Sequence, residues 1–169
     1  IRNTLRFLLA NLTDFNPEKD SIPTDDCLEI DRYMLALTVA LQENLTQSYQ
    51  HYEFHQAVHQ LHNFCSEDLG GFYLDILKDR LYTSATHGLP RRSAQTALYH
   101  IAHSLVRLFA PILSFTAEET WEHLTGDTEG SVLLQLWHVF PQQYDVSELQ
   151  QRWQSIRTLR AKVLKKLED

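Results

Sequence analysis

The stretch RRSAQTALYHIAHSLVRLFAP, Arg91–Pro111, decides the fold. Leu98, Ile101, Leu105, Leu108 and Phe109 recur in it at three- and four-residue steps, the spacing that gathers side chains on one face of an α-helix. Pro111 lacks an amide hydrogen and ends or kinks that helix. Upstream, Phe54, Val58, Leu61, Phe64 and Cys65 keep the same period, and the run resumes through Phe72, Leu74, Ile76 and Leu77 after Gly70-Gly71. The glycine pair predicts a kink or a close backbone approach, since glycine inside a helix costs about 1 kcal/mol relative to alanine. His87-Gly88-Leu89-Pro90 closes this segment in a loop.

Further out, Leu28, Leu35, Val39, Leu41 and Leu45 predict a long helix, with Thr24 and Asp25 after Pro23 as residues suited to its cap. Leu5, Leu8, Leu9 and Leu12 predict another, ending at Asn16-Pro17. Thr116-Ala117-Glu118-Glu119 reads as a capping box that opens a short helix through Trp121. Ser131–Trp137 reads as an extended connector. A second box, Ser147-Glu148-Leu149-Gln150, opens a last helix with Leu149, Trp153, Ile156, Leu159 and Val163 inward and a basic outer face. The expected fold is all-α: an antiparallel bundle of five or six helices over residues 1–146, followed by a basic helix over 147–169.

Composition narrows the function classes. The 169 residues are 43% apolar and 22% charged, and no run nears the roughly 18 apolar residues of a membrane span. The opening Ile1-Arg2-Asn3-Thr4 has neither an initiating Met nor signal-peptide character and reads as part of a longer chain. Cys27 and Cys65 have no companions at metal-binding spacing, which suits a reducing cytoplasm. The net charge of -7 argues against nucleic acid, but its distribution is uneven. Seven acids and one lysine lie between Asp14 and Asp31, whereas six basic residues and no acid lie between Arg152 and Lys166.

Four strings are more specific. FYLDILKDRLYTS (Phe72–Ser84), RRSAQTALYHI (Arg91–Ile101) and LFAPILSFTAEETW (Leu108–Trp121) closely resemble consecutive stretches of bacterial-type isoleucyl-tRNA synthetases, and IRNTLRFLLANL at the start resembles the beginning of the same region. The resemblance implies a class I enzyme in which a helical bundle receives the anticodon arm of isoleucine tRNA. It implies ATP and Mg for the parent enzyme, and zinc in a C-terminal module. The HIGH-type and KMSKS-type signatures, the editing insertion and that cysteine module are not in this sequence. No catalysis, cofactor or metal is therefore expected of this segment alone. The partners implied are isoleucine tRNA and the enzyme's catalytic and C-terminal domains, in a cytoplasmic monomer.

An A-form stem is held through phosphates and 2′-hydroxyls, and loop bases are read by stacking and hydrogen bonds. Three basic groups meet part of that need: Arg2 with Arg6; Lys78 and Arg80 with Arg91 and Arg92; and Arg157, Arg160, Lys162 and Lys165 on the last helix. Trp153, Arg157 and Arg160 fall on one stripe. The structural alternatives are that Arg80 pairs with Asp75 or Asp79 and that Trp153 belongs to the core. His51, His55, His59 and His62, with Cys65 beyond, form a stripe that resembles a metal site, but it lacks the usual companion carboxylate, and Tyr52–Phe54 interrupts it. His100 and His103 are read in the same way. A helical protein-interaction module, suited to the acidic balance, is the alternative function.

Overall fold

The computed structural model describes residues 1–142 and 146–168. Among these residues there is no strand, and the chain forms α1 (Arg2–Ala10), α2 (Pro17–Asp20), α3 (Glu29–Gln50), α4 (Phe54–Asn63), α5 (Leu74–Thr83), α6 (Leu89–Phe109), α7 (Ser114–Thr125) and α8 (Val146–Glu168). Residues 54–83 are one continuous helical run, because a π-helical segment, Phe64–Tyr73, joins α4 to α5.

The expected bundle is present, and α6 is its axis. Besides Leu98, Leu105 and Leu108, α6 buries Ala94, Ala97, Ala102, Ser93, Gln95, Thr96 and Ser104, so it is enclosed nearly all round rather than on one face. The small side chains admit neighbours closely, and the polar ones are hydrogen-bonded, as burial demands. The Ser104 hydroxyl donates to Gln42 Oε1 at 2.8 Å, and Thr96 donates to the Arg92 carbonyl at 2.8 Å. The bonds Leu28 N to Ser93 Oγ, Ser104 Oγ to Gln42 and Tyr49 Oη to the Leu108 carbonyl advance along both chains together. Helices α3 and α6 therefore run parallel, with the 54–83 helix returning between them.

One buried carboxylate fastens this arrangement. Asp31, in the first turn of α3, has 0% exposure. It accepts from Tyr73 Oη at 2.7 Å, from Arg80 Nη1 at 3.1 Å and Nη2 at 2.6 Å, and from the Ser93 hydroxyl. Ser93 in turn accepts from the Leu28 amide at 2.8 Å, satisfying an otherwise orphan donor at the start of α3. Burial, with the Asp31 charge beside it, pushes the Tyr73 phenol well above its ordinary value, so it stays a hydrogen-bond donor.

Local expectations were overturned where distant partners proved stronger. At Gly70 and Gly71, by contrast, the expected close backbone approach is present: they sit in the π segment, whose wider turn brings the carbonyl five residues back beneath them. A Cβ would lie 3.1 Å from the Cys65 oxygen at Gly70 and 3.3 Å from the Ser66 oxygen at Gly71. Thr24–Asp26 forms a 3-10 turn instead of a cap, and α3 starts after Leu28. The Thr116 capping box does not form. Helix α7 already begins at Ser114, and the Glu118 carboxylate accepts from Ser131 Oγ and, at 3.1 Å, from the Val132 amide. The supposed extended connector holds a 3-10 turn, Val132–Leu134. Ser147 is inside α8 rather than capping it, and residues 143–145 before it lie outside the described residues.

Replacing Asp31 with Ala leaves the Arg80 guanidinium, the Tyr73 phenol and the Ser93 hydroxyl without their acceptor. The expected loss is about 3–5 kcal/mol of unfolding free energy, read from urea denaturation followed by circular dichroism. A loss within the range of an ordinary surface substitution would show that the cluster does not carry the bundle.

Candidate nucleic-acid interface

The first finding about the ten cations is how many are committed inside the protein. Arg80 serves Asp31 and also donates to the Pro90 carbonyl at 2.7 Å; neither Asp75 nor Asp79 is its partner. Arg91 donates to the Leu81 carbonyl and pairs with Asp14 at 3.0 Å. Arg92 is buried, donates to Gln95 Oε1 at 2.7 Å and pairs with Asp20 at 3.4 Å. Gln95 closes the network onto Asp14 Oδ1 at 2.8 Å. Burial raises the Asp14 carboxyl, but the hydrogen bonds from Arg91 and Gln95 and the Arg91 charge outweigh it and hold the group below its ordinary value. The acidic segment thus folds over the cations of α5 and α6, and Glu29 takes Arg152 of α8 at 2.8 Å.

A second group gathers around Phe72. Arg157 lies 4.8 Å above the Phe72 ring, pairs with Asp68 at 2.6 Å and donates to Tyr33 Oη at 3.3 Å. Arg160 reaches the Gly71 carbonyl at 3.3 Å, and Asp75 lies between it and Lys78, 3.8 Å from the one and 3.1 Å from the other. Trp153 stacks on Tyr33 with centroids 5.6 Å apart, which makes it an anchor of α8 rather than a free platform for a base. Of the residues expected to face inward on α8, Leu149 is buried and Trp153 half-buried, whereas Ile156, Leu159 and Val163 are exposed. The helix outruns the bundle, so residues 161–167 are exposed throughout. Lys162, Lys165 and Lys166 there have no ion-pair partner among the described residues.

The third group is separate. Arg2 and Arg6, one turn apart on α1, line a groove of about 640 Å³ whose other wall is Thr116, Glu119, Thr120 and His123 of α7. Arg2 Nη2 meets Glu119 Oε2 at 2.7 Å, and Arg6 has no partner among the described residues. Of the three groups, the cations left exposed without an ion-pair partner among the described residues are Arg6 at this groove and Lys162 and Lys165 on the projecting end of α8.

The histidines have other roles. His51 and His55 are split by Tyr52, whose φ of 60° breaks the helix between α3 and α4. Among the described residues, no three His, Cys, Asp or Glu side chains are placed to hold a metal ion. A cluster that sequence reading missed joins His100 and His103 to His138, 38 residues from His100 along the chain. His100 Nδ1 and His138 Nε2 are 2.9 Å apart, the His103 and His138 rings stack at 5.6 Å, and Arg107 lies 3.1 Å from His103 Nδ1 and above Trp121. No local pattern marks His138; only the return of the connector over α6 brings it there.

The structure is a bundle of long helices packed around α6, with cations on its outer helices, and comparison with known proteins identifies the family. Residues 31–168 match the family described as the anticodon-binding domain of tRNA ligase, and the chain belongs to that family. It is 66% identical, over its whole length, to an isoleucine–tRNA ligase of Nitrosomonas europaea. It is 57% identical to that of Dechloromonas aromatica and 59% identical to that of Thiobacillus denitrificans, with 99% of the chain covered in each. The chain spans 18% of the length of each of these relatives.

The histidine cluster gives a pH dependence with a definite sign. Burial, reinforced at His103 by the Arg107 charge and at His138 by the neighbouring His100 and His103, pushes His100 and His103 down to about 4 and His138 down to about 3. The unfolded chain binds these protons near pH 6.5, about the ordinary histidine value. Stability is therefore full above pH 6.5 and falls as the pH drops toward 4 and 3, by about 1.4 kcal/mol per pH unit for each proton involved. His138→Gln should make this fall shallower in urea denaturation between pH 6.5 and 4, and an unchanged slope would remove His138 from the titrating group.

Proposed function

We propose that this chain holds the anticodon stem-loop of isoleucine tRNA as part of a bacterial isoleucine–tRNA ligase, orienting the RNA so that its distant acceptor end reaches the catalytic domain. The observation that carries this reading is the sorting of the cations. Arg80, Arg91 and Arg92 are spent on the bundle, whereas Arg6, Lys162 and Lys165 face solvent without counter-charges among the described residues, and Arg2 and Lys78 make only surface pairs. Membership of the anticodon-binding family supports it, as does the likeness to isoleucine–tRNA ligases along the whole chain.

In this reading the chain binds by shape and charge. Arg157 and Arg160 act chiefly by seating α8 on Phe72, which sets the direction in which the lysines project. Isoleucine activation with ATP and Mg, and the zinc module, belong to other parts of the enzyme, which works as a cytoplasmic monomer. A second reading, a docking surface for protein, is favoured by Leu134, Leu136 and Val139, which the 131–140 segment turns toward solvent.

Labelled isoleucine tRNA titrated with the protein at increasing salt tests the proposal. Affinity should fall steeply, with a log–log slope of about -0.7 to -0.9 per phosphate neutralised. Arg6→Glu combined with Lys162→Glu and Lys165→Glu should weaken binding at least about tenfold and flatten the slope. Absence of binding at low salt, or equal binding by the triple variant, would defeat it.

A further inference from the structure

We propose that Glu119 is an internal stand-in for phosphate: in the free protein its carboxylate occupies the place on Arg2 that an RNA backbone phosphodiester takes, making the α1–α7 groove a phosphate subsite. The inference rests on the RNA reading for its natural ligand, but its geometry is independent of that reading.

Arginine presents a planar fork of N–H donors that fits the paired oxygens of a carboxylate or a phosphate alike. Arg2 meets Glu119 through one contact, Nη2 to Oε2 at 2.7 Å, with the two side chains 67% and 55% exposed. An exposed pair of this kind is weak, worth about fivefold in an equilibrium at most. The Asp31 site is the opposite case, since it is buried and collects donors from three elements. Glu119 accepts from nothing else among the described residues, and α1 is held by the buried Leu5 and Leu8. The fold therefore does not need this carboxylate.

Its position gives it another consequence. Arg6 follows Arg2 by one turn on the same groove wall and has no carboxylate of its own, while Thr116 and His123 face it from α7. An incoming phosphate thus meets one open guanidinium and one whose Nη2 is taken by Glu119. Displacing Glu119 opens the pair together, and the swung-out carboxylate then repels further anions. Glu119 sets affinity below what the two arginines alone would produce, which keeps binding reversible.

The test measures isoleucine tRNA affinity at one low salt concentration for the parent chain, Glu119→Gln, Arg2→Gln, the double variant, and Glu122→Gln. Glu122 is exposed on the same helix one turn further on, so its substitution makes the same change in net charge. Glu119→Gln should bind about two- to fivefold tighter, Glu122→Gln should change affinity less than that, and Glu119→Gln should add nothing once Arg2 is Gln. Equal gains from Glu119→Gln and Glu122→Gln, or a gain that survives Arg2→Gln, would overturn the proposal. A second arm follows the Arg2 side-chain Nε–H signal by NMR while inorganic phosphate is added. That signal should saturate at lower phosphate in Glu119→Gln than in the parent chain, and identical titrations overturn the proposal whether or not tRNA binds. If no variant binds tRNA but the phosphate titrations separate as expected, the RNA reading fails and the subsite stands.

Discussion

The Asp31 carboxylate is the constraint on which the rest of the structure depends. A charge removed from water must be repaid by close donors, and here the donors come from Tyr73, Arg80 and Ser93. Those residues lie on the π segment, on α5 and on α6, so satisfying one charge fixes three elements against the first turn of α3. The position suits a carboxylate twice over, because the start of a helix carries the positive end of its dipole. Leucines pack α3 against α6 without choosing a register sharply; the directional bonds at Asp31 and Ser93 choose it.

The same principle explains why an acidic protein can offer a basic surface. The acids between Asp14 and Asp31 are laid over Arg80, Arg91, Arg92 and Arg152, and most of that negative charge meets a cation within the fold. What stays uncompensated is set by where helices end. Helix α8 is held by Trp153 on Tyr33 and by Arg157 on Phe72, then runs past the bundle with its lysines bare. The α1–α7 groove keeps Arg6 open for a different reason, since α7 sets one carboxylate opposite two guanidinium groups.

The π segment links these regions. Its wide turn is possible because Gly70 and Gly71 carry no Cβ to meet the carbonyls beneath them. Phe72, immediately after, packs edge-on against Tyr33 and Trp153 and carries Arg157 on its face, so the ring that completes the core also seats the last helix. A local widening of one helix thereby positions another more than eighty residues later in the chain.

By itself the sequence determined the all-helical class, the positions of most helices and, through the strings at Phe72–Ser84, Arg91–Ile101 and Leu108–Trp121, the family. Periodicity and a long resemblance are properties of neighbouring residues, and neighbouring residues are legible in a string. It also placed the basic residues in three groups, but not their roles. Whether Arg80 faces RNA or Asp31, and whether Arg92 faces solvent or Gln95, depends on residues dozens of positions away. The Thr116 capping box failed because α7 already begins at Ser114, which leaves Thr116 inside the helix, and its Glu119 carboxylate meets Arg2 of α1 instead. The inward stripe forecast for α8 ended early because amphipathic spacing shows which face would be buried and not how far the partner extends. Only the tertiary structure decided which charges were cancelled, since an ion pair is formed by proximity in space and sequence separation carries no record of it.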